Sequence, residues 1–312
     1  MTKRSMLQTT IADTITLNGI GVHSGKPVSV TLHPSDEDTG ITFQRSDADR
    51  EVPANWKEVT STSLCTVLDD PAKSGVATVE HLMAALRGLN IDNVLVETEG
   101  HELPILDGSS APFVDAIDQV GLRRQSEQRR FIRVMKPVRI ESKDGFSELR
   151  PYEGTRFDIT IDFDTPLIGR QNFTSDITPD VFRNQLARAR TFGYVRDVEK
   201  LWAMGYQLGS SLENSVAISD DAVLNPEGTR WPDEFVRHKA LDAVGDLALA
   251  GLPILGMYRS FKAGHRMNHE ILQALFADDC AYEIVDAPTR RDSGHAEIGA
   301  GIAVAALSPN VS

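Results

Sequence analysis

A chain of 312 residues that is 41% hydrophobic and 25% charged, with a formal net charge of −13, has the composition of a folded protein of about two domains at roughly 150 residues each. The acidic balance argues against general nucleic-acid binding, which needs a basic footprint. It also requires a local basic patch for any anionic substrate. No run of about 18 or more apolar residues marks a membrane span, and the polar start of the chain lacks a signal-peptide core. The two cysteines, Cys65 and Cys280, offer no disulfide framework, so a cytoplasmic setting is expected.

Near the start, Gly19-Ile20-Gly21-Val22-His23-Ser24-Gly25 has the look of a dinucleotide loop. Its third glycine falls one place late and no long βαβ pattern follows, so it reads as a turn. Leu82, Ala85, Leu86 and Leu89 follow the i, i+3, i+4, i+7 stripe of a helix. Thr78 is placed to cap it, which puts Glu80 and His81 in its first turn. Arg123 to Arg130 contains no apolar residue and reads as a linker. Beyond it, Phe157, Ile159, Ile161 and Phe163 alternate with Asp158, Thr160, Asp162 and Asp164, the period of a strand with one buried face. A second helix is expected from about Asp233 to Ala250, with Val236, Ala240, Ala243, Val244 and Leu247 as its core stripe. On its wheel His238 and Asp242 fall away from that stripe beside Gly245 and Leu249, as on a cleft wall. No internal repeat or low-complexity segment is evident.

The chemistry gathers on residues far apart in sequence. His238 and Asp242 are spaced i, i+4, which places both on one helix face about a turn apart. With His81 they make a set of two imidazoles and one carboxylate, the donors of a zinc site that keeps a fourth position open. Glu80, beside one ligand, is then the candidate general base. Phe261-Lys262-Ala263-Gly264-His265 follows a short apolar run from Pro253 to Tyr258. His265 is a candidate general acid, with Asp246 one turn beyond Asp242 to orient it and keep it protonated. Taken alone, each pair has a plainer reading, since such pairs commonly sit on solvated helix faces as charge partners. Cys65 reads as a buried free thiol. His33 and His101 read as structural or surface histidines.

Several short motifs then recur in a familiar order: Gly21-Val22-His23-Ser24-Gly25, Glu80-His81, Pro104-Ile105-Leu106-Asp107-Gly108-Ser109, Arg190-Thr191-Phe192-Gly193, Phe235-Val236-Arg237-His238-Lys239 and Phe261-Lys262-Ala263-Gly264-His265. To about residue 300 the chain resembles the UDP-3-O-acyl-N-acetylglucosamine deacetylases, the zinc amidases of lipid A biosynthesis. The resemblance implies an α+β fold of two similar domains, each a β-sheet layered with α-helices, with the helices sandwiched between the two sheets. Around the candidate linker this divides the chain into residues 1–124, carrying Glu80 and His81, and 129–301, carrying His238, Asp242 and His265, with a tail at 302–312. The active site would lie at their junction.

The resemblance also assigns roles. His81, His238 and Asp242 would hold one Zn²⁺ per chain, with Glu80 as general base. His265 would be the acid or electrostatic partner supported by Asp246, and Thr191 would help hold the oxyanion. An insert in the second domain, here Thr191 to Ala217, would form an apolar passage for the acyl chain. Phe192, Tyr194, Val195, Val198, Leu201, Leu212 and Val216 are its expected lining. Lys143, Lys239 and Lys262 would lie near the diphosphate, and Phe163 would stack on the uracil. The departures from the family pattern, Tyr194 for phenylalanine, Leu212 for an aromatic and Ser63 for a larger apolar residue, fall around the passage and bear on chain-length preference. The implied partner is a small-molecule UDP-sugar with an acyl chain, acted on by a monomer. Two other readings stay open: a zinc amidohydrolase on another N-acetyl sugar or amide, and a non-catalytic nucleotide-sugar or acyl-binding protein.

Overall fold

The computed structural model describes residues 7–287. The expected tail at 302–312 lies outside the described residues, as does the end of the segment drawn to residue 301.

The fold class is α+β, built on two main sheets. A five-stranded sheet runs in the order Ile15–Ile20, Pro27–Pro34, Val94–Thr98, Ile41–Arg45, Val52–Pro53. In Pro27–Pro34 the alternation is plain: Val28, Val30 and Leu32 are buried while Ser29, Thr31 and His33 are less so. A seven-stranded sheet branches at Ile254–Phe261. This strand pairs in parallel with Thr155–Asp162 and antiparallel with Phe146–Arg150, and its first residues pair with Arg130–Val134. The period-two reading holds for Phe157, Ile159 and Ile161, all buried in the strand Thr155–Asp162, whereas Phe163 lies past the strand's end and is only partly buried.

Five helices of nine or more residues occur among the described residues: α1 (Glu80–Gly88), α2 (Ala111–Val120), α3 (Val195–Ala203), α4 (Glu234–Ala248) and α5 (His265–Phe276). In α4 all but Arg237 and Lys239 are buried, and in α1 all but Arg87. A helix enclosed on every side needs no polar face, which is why the expected stripes capture only part of either helix. The two lie directly against each other. A Cβ on Gly245 of α4 would sit 2.0 Å from the carbonyl oxygen of Glu80, so only glycine permits this approach. Side chains from both sheets and from both helices join one continuous core.

Two sequence expectations are corrected. The stretch 123–130 is not a loose linker: Leu122–Gln128 is a strand paired antiparallel with Leu7–Ile11, and Arg130–Val134 enters the seven-stranded sheet. In Leu122–Gln128 every side chain but that of Gln125 faces solvent, so no apolar alternation announced it, and backbone pairing alone makes it a strand. Thr78 does not cap α1. It takes φ +58, outside the extended region that an N-cap uses, and its hydroxyl donates to Glu102 at 3.2 Å. The cap position is Val79, and Glu80 and His81 do open the first turn.

Candidate metal centre and acid–base site

Three helices bring the chemistry together. The first turn of α1 contributes Glu80 and His81, the middle of α4 contributes His238, Asp242 and Asp246, and the first residue of α5 is His265. The Gly245–Glu80 contact fixes α1 against α4 at this level. All five residues from α1 and α4 are buried.

His238 Nε2 lies 3.3 Å from Asp242 Oδ1, and His81 Nε2 lies 3.6 Å from the same oxygen. The two imidazole rings meet edge to face, 5.2 Å apart. Each of the three residues offers one ligand atom, and these atoms lie within 4.8 Å of one another. Tetrahedral ligation with bonds near 2.0–2.1 Å separates donor atoms by roughly 3.3 Å, so the set is spaced for an ion. Two further features fit a cation. Asp242 Oδ1 is buried with no hydrogen-bond partner among the described residues, an arrangement that a bare protein avoids. His238 Nδ1 donates to the Ala189 carbonyl at 3.0 Å, which orients the ring and leaves Nε2 free to serve as a ligand. Burial pushes the His238 pKa down to about 3, keeping it neutral as a ligand must be. Burial also works against the Asp242 charge, but His238 and Lys239 outweigh it and hold the carboxyl well below its usual range.

Beside these donors stands an acid–base pair. Glu80 Oε2 accepts from the Thr66 amide at 3.1 Å, leaving Oε1 to face His265 Nε2 at 3.9 Å. Burial raises the Glu80 pKa against the opposing pull of His265 and His81. His265 Nδ1 is bonded to Asp246 Oδ2 at 2.8 Å, as the sequence suggested. Burial disfavours the charged ring, yet Asp246, Asp242 and Glu80 overcome it and raise the His265 pKa to about 9.

Asp246 is itself held by partners the sequence did not reveal. Thr66 Oγ1 donates to Asp246 Oδ1 at 2.7 Å from 180 residues away, and Asn268 Nδ2 donates to Oδ2 at 2.8 Å. Behind Asn268 a buried chain continues through the Tyr258 hydroxyl to Ser147 Oγ. His23 was also missed as a neighbour: the charge of His265 helps depress its pKa, although burial is the larger cause. The carbonyls of Val22 and His23 accept from the amides of Gly209 and Leu208, joining the expected turn at 19–25, whose first two residues belong to the strand Ile15–Ile20, to the segment after α3.

The remaining candidates form a rim of uneven closeness. Thr191 follows Ala189 by two residues, and its amide donates to the Gly108 carbonyl at 2.8 Å. Arg190 between them is buried and paired with Glu234 at 3.0 Å, which ties this loop to the start of α4. The Phe192 ring lies 6.2 Å from that of His238 and 5.8 Å from that of Phe163. Lys239 donates to Asp242 Oδ2 at 2.8 Å with its ammonium 5.7 Å over the Phe192 ring. Lys262 directly follows its strand, its ammonium 3.6 Å from Asp162. Lys143 is exposed in the turn between Val138–Glu141 and Phe146–Arg150, and Phe146 pairs with Phe261, so both lysines lie at the same end of the sheet. Tyr194 pairs with Ile218 in a short parallel ribbon, and Leu212 lies well exposed on the loop that follows α3.

A buried His-His-Asp donor set, flanked by a carboxylate with raised pKa and a histidinium locked by a second carboxylate, defines a metal-centred hydrolase. Residues 8–277 match the family described as LpxC, UDP-3-O-acyl N-acetylglycosamine deacetylase, and the chain belongs to that family. It is similar to the UDP-3-O-acyl-N-acetylglucosamine deacetylases of Brucella ovis and Brucella melitensis biotype 2. Each is 53% identical over 283 residues, covering 90% of this chain and 99% of the relative.

Proposed function

We propose that this chain removes the N-acetyl group from UDP-3-O-(3-hydroxyacyl)-N-acetylglucosamine, releasing acetate, in lipid A biosynthesis. The observation that carries the reading is the convergence of Glu80 Oε1, His265 Nε2 and the three donor atoms on one buried point. It is joined by 53% identity to relatives named for that reaction. His81, His238 and Asp242 would hold one Zn²⁺. Zn²⁺, when bound, supplies positive charge that acidifies water and polarises a carbonyl.

This chain's own groups do the rest. Glu80 takes the proton of the attacking water at Oε1, its other oxygen being committed to Thr66. His265 keeps its Nε2 proton facing Glu80 and Asp242, at 3.9 and 4.0 Å, and delivers it or its charge to the departing amine. Thr191 steadies the oxyanion from the Ala189–Thr191 loop. Lys239, Lys262 and Lys143 offset the diphosphate charge, and Phe163 stacks on the uracil. Phe192, Tyr194 and Leu212 border the acyl passage.

The same reading divides the chain into two domains, with the boundary drawn at Arg129 because Leu122–Gln128 pairs with the N-terminal strand. It also places a monomer in the cytoplasm. No helix among the described residues is long and apolar enough to cross a membrane. The test is acetate release measured on acylated and unacylated UDP-N-acetylglucosamine together with metal content on the same sample. Equal turnover of both substrates would leave a general amidase instead.

A further inference from the structure

We propose that the cleft at the C-terminal ends of α1 and α4 is a second ligand site, taking a small amphiphile with a phosphate or carboxylate head. The cleft has a volume of about 1720 Å³ and is lined by neither the metal donors nor Glu80 or His265. That exceeds the roughly 300–1,000 Å³ of ordinary small-molecule pockets. Its walls are largely apolar, with Leu89, Phe131, Phe157, Leu247 and Ile254 among them. Into it come two arginines, Arg87 from the last turn of α1 and Arg129 from between the two adjoining strands.

The two arginines leave donors unused. Arg87 Nε and Nη1 and Arg129 Nη2 are buried with no hydrogen-bond partner among the described residues. Arg129 is only 2% exposed, and its Nε donates to Asp92 Oδ1 at 2.8 Å. The other oxygen of Asp92 is occupied by the Thr9 amide at 3.0 Å, so this carboxylate does not satisfy Arg87. Glu153 and Asp176 also line the cleft, and Asp176 is paired with Arg156 at 3.0 Å. Burial, reinforced by the charge of Arg129, pulls the Arg87 pKa down to about 10 against the attraction of Asp92. Buried guanidinium donors are normally satisfied, and their planar fork matches the oxygens of a carboxylate or phosphate. An oxyanion supplies the missing acceptors, and an apolar body fills the walls around it.

The experiment uses the full-length enzyme and n-octyl phosphate, titrated calorimetrically and followed by thermal melting. Inorganic phosphate, octanol and octanoate serve as parallel probes. Octyl phosphate or octanoate should bind saturably, at least ten-fold tighter than either inorganic phosphate or octanol. Arg87→Gln should weaken that binding at least ten-fold while the unliganded Tm stays level or rises, because buried donors without partners have been removed. Arg129 is left intact for its bond to Asp92. The proposal is overturned if neither amphiphile binds. It is equally overturned if binding survives Arg87→Gln but disappears when metal is stripped, which places the ligand at the metal centre. A fall of several degrees in the unliganded Tm of Arg87→Gln also overturns it, since Arg87 would then serve another part of the chain. Inorganic phosphate binding as tightly as octyl phosphate would overturn the amphiphile.

Discussion

Gly245 lies against the backbone carbonyl of Glu80, where a Cβ would come within 2.0 Å of that oxygen. The contact joins the helix of the candidate base to the helix of two metal donors, so one missing side chain sets the register of the site. Gly245→Ala must push α1 and α4 apart. Overpacking of this kind typically costs about 1–3 kcal/mol, and a shift of about 1 Å in positioning can cost on the order of 10²-fold in rate. The urea midpoint should fall and kcat/KM should fall further than the stability loss alone explains. Wild-type kcat/KM in the alanine variant would show that the close approach does not set the site.

The donor set predicts metal dependence. One divalent ion per chain is expected, lost in His81→Ala, His238→Ala and Asp242→Ala. The orphaned Asp242 Oδ1 is the reason to include the carboxylate. Elemental analysis of the three purified variants is the check, and full occupancy in all of them would remove the assignment.

Glu80 separates binding from chemistry. Glu80→Gln should retain metal and lose about 10²–10⁴-fold in kcat, the usual range for a positioned acid–base group. It should also raise the stability of the metal-free enzyme at neutral pH. The Glu80 pKa is raised by burial, so the folded state holds its proton more tightly than the unfolded chain. Its contribution is therefore fully present below the ordinary carboxylate pKa and is lost as pH rises through the raised value. Denaturant melts of wild type and variant at neutral pH test the sign. A less stable variant would mean that the Thr66 amide bond outweighs the cost of burying the charge.

Much of this site was legible because its chemistry rests on side-chain identity and helical spacing. His238 and Asp242 at i, i+4, with Asp246 a turn further, share one helix face in any α-helix, which made Asp246 the candidate partner of His265. What spacing does not carry is backbone. The Ala189 carbonyl that orients His238, the Thr66 amide that holds Glu80 and the Gly245 contact involve no distinctive side chain. Thr66 and Asn268 reach Asp246 only through tertiary packing. The misread linker has the same origin, since an exposed ribbon strand has no apolar period to detect. Thr78, by contrast, was a sound cap by residue type, overruled by the positive φ that sends its hydroxyl to Glu102.

The histidinium predicts the alkaline limb of the pH profile. If His265 must be protonated, kcat/KM should decline as pH rises through about 9, the value to which Asp246, Asp242 and Glu80 lift it against burial. Asp246→Asn removes the leading contribution and should move that limb downward. Thr66→Val and Asn268→Leu strip single hydrogen bonds from Asp246 and should shift it less. A limb unmoved in Asp246→Asn would assign it to another group.

The acyl chain is tested on a segment that folds with little cover. α3 contributes no buried residue, and Val195, Trp202, Met204, Leu208 and Leu212 are each more than 40% exposed. A soluble protein seldom gathers so many apolar side chains on one short stretch without a use. A bound acyl chain would cover some of them, at about 0.8 kcal/mol per buried methylene. A handful of methylenes then supplies several kcal/mol toward holding the amide at the metal centre. Removing the 3-O-acyl group should lower kcat/KM by several orders of magnitude. Leu212→Trp should narrow the passage and penalise long chains more than short ones, measured as a ratio of kcat/KM values across a chain-length series. If that ratio is unchanged in Leu212→Trp while unacylated substrate still reacts poorly, the acyl chain lies elsewhere on this segment, with Leu208 and Trp202 the next positions to vary.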